Sequence, residues 1–208
     1  MDISWLGHAC VRVRTRQAAL LMDPYQREGS LDMGRPNADV VTVSHDDERH
    51  GHIAGVRGTP LVIQGPGEYE VQGVQIIGLP TSLLGTPRDQ RDRNTAFLIE
   101  AEGLHLAQLG AIGGPPTEKE AEMLSNADIL VVPIGEHGLS ADDAARTVRM
   151  LEPAITIPVG YGSASDDPAL KAFLTAAGIE SEAAVARFSI QPRGVGETQR
   201  IVLLDLRG

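Results

Sequence analysis

The chain has 208 residues, a formal net charge of −10, 42% hydrophobic and 3% aromatic content, and one cysteine. That length suits one large domain over residues 1–208, with a core resting on Val, Ile, Leu and Ala. The acidic balance argues against a nucleic-acid partner, and the lone cysteine excludes an internal disulfide and a cysteine-based zinc knuckle. No apolar run approaches the roughly 18 residues of a membrane span, and no charged and then apolar leader opens the chain. The expectation is a cytoplasmic protein with no membrane partner.

Taken in order, residues 2–6 and 11–14 alternate apolar and polar side chains, and residues 18–22 form a third short apolar run before Asp23-Pro24. Close spacing predicts an antiparallel meander. Val40, Val41 and Val43 predict a buried strand, as do residues 61–63. Residues 69–71 and 74–77 flank Gln72-Gly73, a two-residue hairpin turn. Residues 83–93 read as a polar loop, with Arg88 and Arg93 solvated among Asp89 and Asp92.

Residues 94–100 and 104–109 predict a second hairpin around Glu102-Gly103. Thr117 with Glu120 makes a capping box for a helix over residues 117–124. Residues 128–133 predict a buried strand. Ser140 caps a helix that Pro153 ends, with Val148 and Leu151 on its inner face. Residues 155–161 form another strand, residues 167–177 a third helix closed by Gly178, and residues 183–190 and 199–206 the last strands.

Chemistry concentrates at residues 38–52, where the valine strand runs into His45-Asp46-Asp47-Glu48-Arg49-His50-Gly51-His52, with three of the chain's six histidines. Clustered imidazoles and carboxylates after a strand are what a zinc site uses. A solvated acidic turn is the other reading of the same composition. Ser44 and His45 are adjacent, and strand alternation would point them to opposite faces, against a serine–histidine pair. Cys10, in an alternating segment, reads as core. His105 and His137 read as structural residues outside the site.

The stretch at 44–50 resembles the Ser/Thr-His-x-His-x-Asp-His signature of the metallo-β-lactamase superfamily. His45 and His50 match its first and last histidines, while Asp47 replaces the middle histidine and Arg49 the aspartate. Trp5-Leu6-Gly7-His8-Ala9, Leu20-Leu21-Met22-Asp23-Pro24 and Gly65-Pro66-Gly67-Glu68-Tyr69-Glu70-Val71 resemble the UlaG-like branch. The resemblance implies an α/β (α+β) fold, a four-layer αββα sandwich of two mixed β-sheets. It also places His8, Asp23, Arg49, His52, Ala111 and Gly160 along the cleft.

In the family, Pro-Thr precedes a loop histidine ligand, but Pro80-Thr81 is followed by no histidine before His105. Gln108-Leu109-Gly110-Ala111 falls where relatives carry His-Leu-Gly-Asp, so Ala111 takes the place of the bridging aspartate. Gly160 takes that of a strand-end histidine. The candidate site residues are therefore His45, Asp46, Asp47 and His50, with His45, Asp47 and His50 as a weak metal site. Arg49, a permanent cation, would repel zinc and replace its charge by pairing with Asp23, Asp46 or Asp47.

Two functions follow. The first is a hydrolase-like protein that has lost most metal ligands, needs no cofactor and binds a small molecule or protein, with a homo-oligomer allowed. The alternative is an active hydrolase with one zinc or other divalent ion held around His45, Asp47 and His50.

Overall fold

The structure, a computed structural model, describes residues 1–86, 94–162, 164, 166–196 and 198–206. The Arg88–Arg93 segment lies outside the described residues. The first strands follow their alternation: β1 (Asp2–Gly7), β2 (Cys10–Arg14) and β3 (Ala19–Met22) pair antiparallel as the expected meander. β4 (Val40–Val43) and β5 (Leu61–Gln64) then add parallel to β3, giving the local strand order β1-β2-β3-β4-β5.

The second sheet starts with two hairpins. β6 (Gly67–Val71) and β7 (Val74–Thr81) turn at Gln72-Gly73, and β8 (Asn94–Ala101) and β9 (Leu104–Gln108) turn at Glu102-Gly103. β10 (Ile129–Pro133) and β11 (Ile155–Val159) continue it in parallel. Both are buried along their whole length, which fits their runs of apolar residues, broken only by Thr156.

Two of the three helices are capped by the residues the sequence points to. Thr117 and Glu120 form the reciprocal capping box of α1 (Glu118–Leu124). Ser140 caps α2 (Ala141–Leu151), and Asp167 caps α3 (Pro168–Ala177), which Gly178 closes in the left-handed region.

The two terminal strands are much shorter than the alternation predicts. Only β12 (Phe188–Ser189), beside β1, and β13 (Arg200–Ile201), beside β11, are strands. Around them the chain makes isolated bridges, Ser181 with Ile201 and Val185 with Leu204, and most of residues 181–189 are exposed. Apolar alternation on a sheet rim finds too few ladder partners to become regular strand.

Both sheets are mixed, and one buried core containing Trp5, Leu20 and Val40 from the first and Ile76, Phe97, Leu106 and Val131 from the second joins them. The fold is the α+β metallo-β-lactamase sandwich. Val148, Leu151, Leu170 and Phe173 attach α2 and α3 to that core. Over the outer face of the first sheet, Leu21, Val41 and Val43 are covered by Tyr25, Met33 and Val56. These come from irregular chain and the margin of a short 3-10 turn, Ile53–Gly55, so among the described residues this outer layer is not an α-helix.

Candidate functional site

The site is built at the carboxyl ends of parallel strands, where open α/β sheets place ligand groups. β3 ends into Asp23, β4 into Ser44 and His45, and β9 at Gln108. Asp23, in the left-handed region at φ 48°, is fully buried and is the hub. Its Oδ1 accepts the Ser44 amide at 2.7 Å, and its Oδ2 accepts Ser44 Oγ at 2.9 Å and Gln108 Nε2 at 3.1 Å. Gln108 Nε2 also donates to the Ala9 carbonyl at 3.1 Å, tying the β1–β2 turn to the second sheet.

Ser44 carries the link between the sheets. The Thr95 amide donates to its carbonyl at 2.8 Å. Gly110 follows β9 at φ 61°, and a Cβ there would lie 2.4 Å from Ser44 Cβ. Only glycine allows the two segments to approach this closely. Asn94 fixes the same corner, donating to Thr81 Oγ1 and the Leu109 carbonyl and accepting the Ala111 amide.

The two histidines face one another, with ring centroids 4.2 Å apart and planes tilted by 49°. Contrary to strand alternation, Ser44 Oγ lies 3.2 Å from His45 Nδ1 and 3.3 Å from His50 Nδ1. The reason is that β4 ends at Val43, so Ser44 and His45 stand in a bend where alternation no longer holds. His50 Nδ1 is also 3.1 Å from Asp23 Oδ2.

Ser44 has one proton, given to Asp23, so its lone pairs receive Nδ1–H from both rings. In the neutral form of each ring, that arrangement leaves Nε2 as the acceptor. Burial, and then the neighbouring His50, lower the pKa of His45 and keep it neutral. Ser44 is itself buried and its proton committed, so it is not a free nucleophile.

The other expected site residues scatter. Asp46 and Asp47 are exposed, and Asp47 Oδ1 accepts the Arg49 amide at 2.8 Å, closing a local turn. His52 turns away toward the outer layer, its ring beside Gly55 and near Met33. Ala111 is buried against Asn94. Gly160 follows β11 at φ 88°, where a Cβ would meet the Ile134 carbonyl oxygen at 2.8 Å.

Arg49 does not use the carboxylates expected for it. Its Nε and Nη2 donate to the two oxygens of Glu28 at 3.0 and 2.9 Å, and its Nη1 lies 2.9 Å from His137 Nε2. Asp47 is engaged by the Arg49 backbone, and Asp23 by Ser44 and Gln108, so neither is offered to the guanidinium. The pairing lowers the pKa of Glu28 through the hydrogen bonds from Arg49.

His137 therefore belongs at the mouth of the cleft, while His105 stays on β9 between Glu100 and Asp128, as expected. His8, at φ 45°, packs edge-on against Tyr25 at 4.7 Å, and its Nε2 comes within 3.2 Å of Glu28 Oε2. Burial is the main cause that lowers its pKa. Glu28, Gln108 and His137 are the residues sequence reasoning missed. Gln108 alone carried a signal, its place before Leu109-Gly110.

Among the described residues no three His, Cys, Asp or Glu side chains converge to hold a metal ion. Two imidazoles with no third converging His, Cys, Asp or Glu among the described residues, and a guanidinium nearby, fall short of the three protein ligands of a catalytic zinc centre.

The fold and this strand-end cleft define a β-lactamase-type domain. A family profile described as the beta-lactamase superfamily domain matches residues 2–160, and the chain belongs to that family. A UPF0173 protein of Pyrococcus furiosus is 28% identical over 188 residues, covering 81% of this chain and 87% of its own. A UPF0173 metal-dependent hydrolase of Methanopyrus kandleri is 24% identical, covering 78% and 85%. Among solved structures, a Thermotoga maritima protein classed by its name as a zinc-dependent hydrolase of the metallo-β-lactamase superfamily superposes with a TM-score of 0.79. It is 26% identical and covers 99% of both chains.

Proposed function

We propose that this chain is a metallo-β-lactamase-fold protein of the UlaG-like branch that works as a binding module, without binuclear zinc chemistry and with little or no hydrolytic activity. The observation that carries this reading is that, among the described residues, no third His, Cys, Asp or Glu converges with His45 and His50 to hold a metal ion. Ala111 and Gly160 offer no ligand atoms. The net charge of −10 leaves nucleic acid an unsuitable partner, and no described helix is long and apolar enough to cross a membrane. We place the protein in the cytoplasm.

The second reading, a mononuclear hydrolase at His45, Asp47 and His50, draws on the bare Nε2 atoms of two facing rings and on the relatives named metal-dependent hydrolases. Thermal melting with increasing Zn²⁺ separates the two. A ligand at 100 times its Kd adds about 2.7 kcal/mol to the folded state, so a real site raises the Tm with dose. The binding-module reading expects no such rise. A dose-dependent rise that His45→Ala abolishes would establish the hydrolase instead.

A further inference from the structure

We propose that the mouth of the cleft is a carboxylate-recognition subsite built on Arg49 and His8, with Glu28 as its internal occupant. The proposal rests on the binding-module reading and names the ligand class for the same site.

The Arg49 fork meets both oxygens of one carboxylate, with Nε and Nη2 at 3.0 and 2.9 Å from Glu28. That parallel geometry selects planar carboxylates. His137 braces the remaining guanidinium nitrogen at 2.9 Å, so the fork is held in place.

Glu28 is a poor permanent partner. Its side chain is half exposed and stands at the first residue of a tight turn that bridges to Leu31. Exposed pairs of this kind hold weakly and exchange readily. His8 Nε2 is shielded from solvent and lies 3.2 Å from Glu28 Oε2, yet it is not aligned for a hydrogen bond and has no hydrogen-bond partner among the described residues. A buried ring nitrogen left in this way is costly. A carboxylate free of the Glu28 tether can align with Arg49 and His8 together.

Room for the rest of such a ligand is present. Glu28 and Arg49 line a recess of about 440 Å³ with Gln26, Arg27, Asp47 and Glu48. With Glu28 swung out, Arg27 and Arg49 balance Asp47 and Glu48. That balance suits a small monocarboxylate carrying hydroxyl or amino donors, and disfavours a polyanion such as a phosphate ester.

The test titrates glycolate and, at matched ionic strength, inorganic phosphate into the parent protein, Glu28→Ala and Glu28→Ala/Arg49→Ala by calorimetry. Circular dichroism confirms folding. With its internal competitor removed, Glu28→Ala should bind glycolate at least tenfold more tightly than the parent, and the double variant should not bind. In the parent, glycolate should displace the Arg49 Nε–H resonance in a nitrogen-15 spectrum, a readout that needs no variant. Equal glycolate affinity in the parent and Glu28→Ala would overturn the proposal. So would binding by the double variant, a phosphate response equal to that of glycolate, or an unmoved Arg49 signal. Zinc-dependent stabilisation of the parent would sink the binding-module reading itself, whereas a missing glycolate response without any zinc effect sinks only this inference.

Discussion

Asp23 and Glu28 stand in the same stretch after β3 and both accept bonds from the motif loop, yet one is fully buried and the other half exposed. Asp23 takes two bonds from Ser44 and one from Gln108, and touches His50, joining the two sheets through one carboxylate. Glu28 holds a single arginine at the rim. The inner wall is thus part of the fold's framework, while the mouth is a replaceable surface contact. The difference teaches that the inner wall of such a cleft can be held by hydrogen bonds between the strand ends, independently of what the mouth binds.

The comparison is broken most directly at its hub. Asp23→Ala strands the Ser44 amide, the Ser44 hydroxyl and the Gln108 amide in a buried place, and should cost about 3 kcal/mol in urea unfolding. A loss close to zero would mean that the inner network is not structural.

Placing a histidine at the end of β11 meets the next largest barrier. Gly160→His forces a side chain onto a φ of 88° and toward the Ile134 carbonyl. It should destabilise by roughly 1–3 kcal/mol, read from the same urea curves, rather than simply rebuild a metal site.

A pH effect follows from the buried rings. His8 and His45 have folded pKa values below the ordinary 6.5, so below pH 6.5 the unfolded chain binds protons first. Stability should be complete above pH 6.5 and fall as the pH drops from there toward the depressed folded values. Denaturation midpoints measured across that window check it, and His45→Gln should flatten the slope.

The smallest effect is expected at the mouth. Arg49→Ala removes an exposed pair and should leave the unfolding midpoint near that of the parent. A loss as large as that of Asp23→Ala would erase the distinction between the two regions.

Much of the inner wall was legible. The valine strand, the histidines that follow it and the Asp23-Pro24 turn are local signals, and the capping residues Thr117 and Ser140 set two helix starts. What the sequence hid depends on contacts between distant segments. Ser44 looked isolated from His45 because strand alternation was carried one residue past the end of β4. Glu28 and His137 meet Arg49 only through the packing of three loops, and no periodicity reports that. The nearby Asp47 looked like the natural partner, but its carboxylate closes its own turn. The terminal strands failed for a related reason: alternation shows which side chains are buried, not whether a neighbouring strand is long enough to pair.

The most direct measurement is the metal content of the protein purified without chelator, by elemental analysis alongside protein concentration. The account predicts zinc, iron and manganese each far below one ion per chain. Two ions per chain, or one that persists through dialysis and departs in His45→Ala, would contradict it.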